Sequence, residues 1–273
     1  PETVVRWYRR HGYDFLALSD HNHRTILDYA SGKRRSNRPI MIPGEEVSAS
    51  IQGGTTPIHI GGIGISRVIE PIDAGGLVPT LQANVDAVLQ AGGIASLNHP
   101  NFWWAFDHEA ISKVRGAHLL EIYNGHPLVN VYGAGGRPGY EEIWDRVLSA
   151  GKVIFGVATD DSHIFKDFSP QYSNPGRGWV MVRASRLDQD AILDALRGGD
   201  FYASTGVTLD EVEQGPDEIY VRICQESDAL YTTRFIGAHG VTLKEVFGLE
   251  AAYRPDGDEP YFRASVISSS GAR

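Results

Sequence analysis

Imidazole and carboxyl side chains recur at the polar ends of apolar segments along the first 165 residues. All of them offer nitrogen or oxygen donors, which suit divalent Zn, Mn or Fe, and no thiolate accompanies them. This donor chemistry is typical of a catalytic metal site and argues against a closed structural zinc site. The candidate metal ligands are His21, Glu46, His59, His99, Asp161 and His163.

Two of these positions carry additional local information. Asp161 and His163 are two residues apart where a predicted strand ends, so both side chains are expected to face one cavity and to serve neighbouring metals. Glu45 and Glu46 compete for one role, and Glu46 is the preferred ligand.

The apolar segments that carry these residues predict an α/β architecture. The run 15–18 predicts a buried parallel strand, and helix-period segments such as 81–90 and 140–150 separate the later strands. This alternation indicates a sheet or barrel of parallel strands, whose carboxyl ends meet at one edge. Packing alone gives no reason to place polar groups repeatedly at that edge. The other predicted strands of this part are 39–43, 58–65, 94–97, 119–123 and 153–158.

The pattern changes beyond Pro170. A strand at 178–182 and a helix at 188–197 are followed, from about Val207, by short alternating strands separated by Gly, Asp and Pro turns. The sequence therefore predicts two domains, a barrel at 1–205 and a small antiparallel β appendage at 206–273.

Composition limits the partners of the protein. A formal net charge of -9 argues against a nucleic-acid polymer, because phosphate backbones are bound by basic faces. The basic cluster at 33–38 is interpreted as a solvated loop. No apolar run is long enough to span a bilayer, so a soluble protein is expected, cytoplasmic or periplasmic. Oligomeric state stays open, and the chain, which starts inside a predicted helix at Pro1, is expected to be part of a longer natural sequence.

Four motifs resemble, in order and approximate spacing, those of the PHP (polymerase and histidinol phosphatase) superfamily of metal-dependent phosphoesterases. The resemblance covers roughly residues 1–205 and implies a distorted (β/α)7 barrel with two or three divalent metal ions at the strand carboxyl ends. The motifs are Leu18-Ser19-Asp20-His21-Asn22, Gly44-Glu45-Glu46-Val47-Ser48, Asn98-His99-Pro100 and Asp161-Ser162-His163.

The resemblance also implies how the ligands divide among the metals. Glu46, His59 and His99 would hold one metal, with Glu46 bridging to a neighbour. His21 and His163 would serve a second metal, and Asp161 a third.

One part of the family pattern is absent. The family's His-x-His pair, with an aspartate shortly after it, is expected to precede Pro1. Without it the Asp161 metal lacks two imidazoles and the second metal lacks an aspartate. Segments 102–104 and 121–126 further resemble a branch that contains carbamate and ester hydrolases such as the carbaryl hydrolases.

The favoured function is that of a metal-dependent phosphoesterase acting on a small phosphorylated metabolite or nucleotide. Clustered divalent ions would lower the pKa of a bridging water, and the resulting hydroxide would attack phosphorus in line. His126 is a candidate to protonate the leaving group, although a loop histidine before Pro127 fits equally well. Arg177 is a candidate to bind phosphate as a fork, although a surface turn arginine explains it nearly as well.

Two alternatives stay open. The same site would suit a carbamate or carboxylic ester hydrolase, with Trp103, Trp104 and Phe106 forming an apolar wall, although ordinary packing also explains such aromatic residues. A non-catalytic scaffold, whose β-rich tail binds a partner, is the third interpretation.

Overall fold

The structure is a computed structural model that describes residues 1–27 and 39–273. Its main feature is a six-stranded mixed sheet whose strands follow one another in chain order. Each connection in this sheet therefore joins neighbouring strands. The strands are β1 (Phe15–Leu18), β2 (Ile40–Ile51), β3 (Thr56–Ile63), β4 (Ile94–Leu97), β5 (Leu119–Asn124) and β6 (Phe155–Thr159).

Five α-helices occur in the described part of the chain, and two of them begin with side-chain caps. Asp107 and Asp188 accept hydrogen bonds from backbone N–H groups of the first helical turn, and Gly199 ends the last helix in a left-handed conformation. The helices predicted at 81–90, 140–150 and 188–197 are all present. The helices are α1 (Glu2–Arg10), α2 (Leu77–Gln90), α3 (His108–Lys113), α4 (Tyr140–Ser149) and α5 (Gln189–Gly198).

Apolar residues cover both faces of the sheet. Consecutive residues of a strand point to opposite faces, so Leu119 packs with Leu193 of α5 while Leu120 packs in the larger cluster with Val85 of α2. Both faces of the central strands are therefore buried, which explains the continuous apolar runs that predicted them.

The expectation that all these strands run parallel is wrong for β3. β1 is parallel to β2, and β4, β5 and β6 are mutually parallel, but β3 is antiparallel to both β2 and β4. The reason is the short turn between β2 and β3, in which Gly53 and Gly54 adopt positive φ. Parallel neighbours need a crossover of a dozen or more residues, which this turn does not provide.

A closed (β/α)7 barrel is not present in the part of the chain that the structure describes. β1 and β6 are the two edges of the sheet. The sheet nevertheless curls, and this brings its two edges close together. The ring centroids of His21, just beyond β1, and His163, just beyond β6, are only 6.4 Å apart. The observed architecture is a curled, open α/β sheet, and the barrel prediction is correct only at this coarser level.

Beyond residue 206 the chain forms antiparallel strands, as the sequence predicts: β9, β10 and β13 form one three-stranded sheet and β11, β12 and β14 another. β7 and β8 lie within the range predicted as a parallel barrel, but they pair antiparallel with each other in a separate two-stranded sheet. The domain boundary between 205 and 206 stays a prediction. The strands are β7 (Trp179–Val182), β8 (Phe201–Ser204), β9 (Leu209–Gln214), β10 (Ile219–Ile223), β11 (Tyr231–Ile236), β12 (Thr242–Phe247), β13 (Glu250–Tyr253) and β14 (Arg263–Ser268).

Two remaining expectations concern the first connection and the membrane. The basic cluster at 33–38 lies outside the described residues. The sequence also predicts a short helix over 25–30, of which residues 28–30 lie outside the described part and residues 25–27 are not helical. Within the described ranges, no helix has the length and apolarity needed to cross a bilayer.

Candidate metal centre

Glu46 and His59 lie on the antiparallel strands β2 and β3 and face the same side of the sheet. Glu46 is opposite Gly61, and His59 follows the same alternation two residues away. A Cβ atom at Gly61 would lie 3.1 Å from Asn98 Oδ1, so the glycine leaves room for the Asn98 amide. That amide donates a hydrogen bond of 2.9 Å to Glu46 Oε1. The β2–β3 hairpin thus fixes the position of the carboxylate and of one imidazole.

His21 is held beside Glu46 by an extension of the β1–β2 pairing. Glu46 N donates to Asp20 O at 3.1 Å, and Asn22 N donates to Glu46 O at 2.9 Å. His21 Nδ1 consequently lies 3.0 Å from Glu46 Oε2 and 2.5 Å from Ser48 Oγ. One ligand atom from each of His21, Glu46 and His59 lies within 4.8 Å of the other two, a spacing suited to a shared cation.

His99 adds a further imidazole from the end of β4. Its Nε2 lies 2.8 Å from His59 Nδ1 and 3.6 Å from Glu46 Oε1. On the other side of the ring, Nδ1 lies 3.0 Å from Glu121 Oε2, which also accepts a 2.5 Å hydrogen bond from His99 N. Because Nδ1–H donates to Glu121, Nε2 is the atom directed at Glu46 and His59.

Burial sets the protonation of this cluster. Desolvation raises the pKa of Glu46, although the neighbouring imidazoles oppose that effect. Desolvation lowers the pKa of His59 to about 3, and the charges of the neighbouring His99 and His21 act in the same direction. For His99 desolvation acts in the same direction, but Glu121 and Glu46 outweigh it and raise the pKa to about 9. At neutral pH His59 is therefore neutral and His99 is an imidazolium.

These charges test whether the cluster fits a cation. When His59 is neutral and His99 is protonated, one proton lies between the two rings, and His99 Nε2 donates it in a hydrogen bond to His59 Nδ1. That proton lies beside Glu46, whose buried carboxylate is disfavoured without a positive partner. A divalent cation there would replace the proton and gain nitrogen and oxygen donors that suit Zn, Mn or Fe. The residues present fit the metal site.

Asp161 and His163 lie next to this cluster, just beyond β6. Asp161 Oδ2 accepts a 3.2 Å hydrogen bond from Asn124 Nδ2, and Asp161 Oδ1 lies 3.7 Å from His163 Nδ1. The His163 ring centroid is 6.4 Å from that of His21. The structure therefore groups His21, Glu46, His59 and His99, and places Asp161 and His163 beside them. Their roles as ligands stay predictions.

Asp160 has a different role from that of its neighbour. Its carboxylate accepts hydrogen bonds from Tyr8 Oη at 2.7 Å and from the backbone N–H groups of Gly176, Arg177 and Gly178 at 2.8, 2.5 and 2.9 Å. With four donors, this buried carboxylate fixes the 176–178 loop against α1. It is not an open ligand.

The two candidate catalytic residues differ in how their side chains are used. His126 Nδ1 accepts a 3.2 Å hydrogen bond from Leu128 N, and burial lowers the pKa of this imidazole. Its neutral form therefore carries the proton on Nε2. The Arg177 guanidinium donates to Gly125 O at 2.9 Å and to Ser169 O at 2.7 Å, so it ties two loops together. Both catalytic assignments stay predictions.

The predicted apolar wall is only partly formed. Phe106 is buried in the main core cluster, so it is not available to a ligand, whereas Trp103 is 73% exposed. Phe102, which the wall hypothesis left out, has ring centroids 5.7 Å from His59 and 5.6 Å from His99.

The fold resembles that of a solved structure. It is a two-domain protein from Bacteroides vulgatus ATCC 8482 containing a predicted PHP-like metal-dependent phosphoesterase. The two chains share 14% identity with a TM-score of 0.50 over 97% of this chain and 89% of the other. No family model and no curated protein matches the sequence. At this identity the likeness shows only that the two folds are similar, and membership of the PHP superfamily and of its carbaryl-hydrolase-like branch stays a prediction.

Glu121 is the functional candidate that sequence reasoning missed. Its buried carboxylate accepts from His99 N and Nδ1, from Asn124 Nδ2 at 3.0 Å and from Thr159 Oγ1 at 2.8 Å. Its acidic side chain inside the apolar strand β5 was the available signal, since buried carboxylates need partners.

Proposed function

We propose that this protein is a metal-dependent hydrolase that cleaves phosphate esters of small molecules, such as a phosphorylated metabolite or a nucleotide. The observation that carries the proposal is the grouping of three imidazoles around the buried carboxylate of Glu46. The PHP-like fold of the Bacteroides vulgatus structure supports it. Bound divalent ions would supply an activated water and offset the negative charge of the transition state.

The proposal assigns the residues to two neighbouring ion positions. The first ion would bind to Glu46 together with His21, His59 and His99. The second ion would bind to Asp161 and His163. Mn, Zn and Fe in the divalent state are the candidates for both positions. A third ion would require donors in addition to these six residues.

Exposure indicates from which side a substrate would arrive. The side chains of His21 and His163 are 54% and 52% exposed, whereas that of His99 is 5% exposed. A phosphate would therefore approach between His21 and His163, with His99 and Glu121 forming the closed back of the site.

His126 is proposed to protonate the leaving oxygen. Its ring centroid lies 5.6 Å from that of His163, and its neutral form carries a proton on Nε2. Arg177 is proposed as a positioning residue rather than a phosphate fork. Its guanidinium already donates to Gly125 O, one residue before His126, and so fixes the loop that carries this imidazole.

The test is metal loading followed by substrate turnover. Chelator-treated protein is reloaded separately with Mn²⁺, Zn²⁺ or Fe²⁺, and bound metal is counted by mass spectrometry. Activity is then measured on p-nitrophenyl phosphate, its bis ester and 1-naphthyl methylcarbamate. We expect metal-dependent cleavage of at least one phosphate ester. Glu46→Gln should lose both metal and activity, while Glu142→Gln, on the exposed face of α4, should retain both.

Two results would overturn the proposal. Turnover of the carbamate alone would indicate a carbamate or carboxylic ester hydrolase instead of a phosphoesterase. A protein that binds none of the three ions would support the scaffold interpretation.

A further inference from the structure

A large cavity lies where the main sheet and α4 meet the C-terminal strands. Its volume is about 930 Å³, at the upper end of the range of roughly 300–1,000 Å³ that is typical of small-molecule sites. None of the six candidate metal ligands lines it. Its walls come from β5, β6 and α4 and from β8, β9, β10 and β14.

Strand β5 contributes different residues to the metal centre and to the cavity. Glu121 accepts a hydrogen bond from His99 at the metal centre, whereas the next two residues, Ile122 and Tyr123, line the cavity. The register of β5 against β6 shifts between Glu121 and Tyr123, and such a β-bulge changes the direction of the side chains beside it. The cavity is therefore a separate site, although it begins one residue after the partner of His99.

The apolar lining of the cavity is not fully covered by protein. Phe155 of β6 and Phe201 of β8 contact each other edge to face, with ring centroids 6.2 Å apart, yet both stay partly exposed. Val212 of β9 and Ile219 of β10 also line the cavity and are only partly buried. Protein interiors are normally close-packed, so these side chains lack contacts that a bound apolar molecule would supply.

Each charged side chain that lines the described part of the cavity is paired within the protein. No charge is therefore left to neutralise a charged ligand, and burial of an unpaired charge is unfavourable. The pairs are Arg263 with Asp145 and Glu141, Arg273 with Glu141, Glu142 with Arg146, and Glu259 with the hydroxyl of Tyr253.

We infer that this cavity is a binding site for a neutral, largely apolar small molecule. Burial of the apolar surface of that molecule against the partly exposed side chains supplies the affinity. The internally paired charges select against ionised molecules of the same shape, because such a molecule would lose its hydration without gaining a counter-charge. The site does not require the metal centre, so metal-free protein should bind the same molecule.

The test uses two fluorescent probes that share one skeleton and differ in charge. N-phenyl-1-naphthylamine is neutral, and 8-anilino-1-naphthalenesulfonate adds one negative charge to the same rings. Both are titrated into the whole chain, either treated with chelator or loaded with metal. We expect the neutral probe to bind at least roughly tenfold more tightly than the anionic probe in both forms. The neutral probe should also raise the melting temperature.

Two substitutions of Ala203 locate the bound probe. Ala203 of β8 lines the cavity and is partly exposed, so a larger side chain there would occupy part of the space. Ala203→Trp should weaken binding of the neutral probe by roughly tenfold, and Ala203→Leu should weaken it less. Ala203→Leu should also melt at a higher temperature than wild type without probe, because it fills part of the cavity. Ala74→Trp, in an exposed loop before α2, is the matched control and should bind as wild type.

Three results would overturn the inference. They are the absence of saturable binding of the neutral probe, equal affinity for the two probes, and binding that both Ala203 variants leave unchanged while they stay folded. None of them bears on the phosphoesterase, which is tested by metal-dependent turnover. Conversely, cavity binding by a protein that holds no metal and cleaves no ester would support this inference and overturn only the proposed function.

Discussion

Two buried carboxylates, Glu46 and Asp145, are neutralised in opposite ways. Asp145 on α4 accepts from Arg263 Nε and Nη2, both at 2.8 Å, and from Tyr261 Oη at 3.0 Å. Glu46 accepts one amide hydrogen bond and is otherwise surrounded by imidazoles. Asp145 thus has a permanently charged partner, whereas the partners of Glu46 are charged only when protonated.

The difference separates structural from chemical use of a carboxylate. An arginine stays protonated at neutral pH, so the Asp145 pair joins α4 to β14 without a proton that a metal could displace. Imidazoles exchange a proton for a metal near neutral pH, so the Glu46 cluster is suited to bind a cation. Four measurements test this difference.

The largest effect is expected for Glu46→Gln. Loss of the charge should lower kcat/KM by roughly a thousandfold and remove bound metal. The metal-free variant should unfold at a higher temperature than the metal-free wild type, because the raised pKa of Glu46 means that the fold disfavours its charged form. Calorimetry with and without metal measures the unfolding temperatures of the variant and of the wild type, and so the sign of each change. A metal-free variant less stable than wild type would show that Glu46 is compensated as fully as Asp145.

Arg263→Leu should act on stability instead. Removing one partner of a buried ion pair costs about 3–5 kcal/mol, which urea unfolding would detect. Arg234→Leu is the matched control, because its pair with Glu245 in the C-terminal sheet is exposed and should cost at most about 1 kcal/mol. Similar losses in both variants would remove the distinction between the two pairs.

Glu121→Gln should have an intermediate effect. Glu121 orients His99, and loss of such a partner typically weakens metal affinity by about 10- to 100-fold. The pKa of His99 should fall as well, because Glu121 is the main group that raises it. Proton NMR of the His99 ring would measure this fall. An unchanged titration alongside weaker metal binding would indicate that Glu121 acts only on packing.

The smallest effect is expected for a change of one pH unit. The pKa of His99 is about 9 in the metal-free fold and ordinarily 6.5, so its contribution to stability is complete below about 6.5 and is lost as pH rises through about 9. A cation must displace this proton, so Mn²⁺ affinity should rise across the same range, by up to about tenfold per pH unit. Calorimetric titration at pH 6.5, 7.5 and 8.5 checks the slope. An affinity independent of pH would contradict the shared proton between His59 and His99.

Local features of the molecule could be predicted from sequence, because their causes lie within a few residues. α5 follows from the Asp188 cap and the Gly199 terminus, and the buried strands follow from their apolar runs. The direction of β3 could not be predicted in the same way, since it depended on recognising a tight turn at Gly53 and Gly54 rather than a crossover.

Contacts between distant residues were beyond the sequence. Asp160 and Asp161 are adjacent and of one type, but Tyr8 and the loop after residue 175 saturate only the first. Glu121 lies 22 residues from His99, and nothing in the spacing connects them. The polar strand ends identified the candidates, whereas only the fold assigned each its partners.

The curl of the open sheet would give metal binding a mechanical role. His21 follows one edge strand, β1, and His163 follows the other, β6. Cations bound between these side chains would join the first and last strands of the sheet, as a covalent cross-link would. Ion loading would then slow hydrogen exchange along both outer strands, and the stiffness of the domain would depend on the supply of metal.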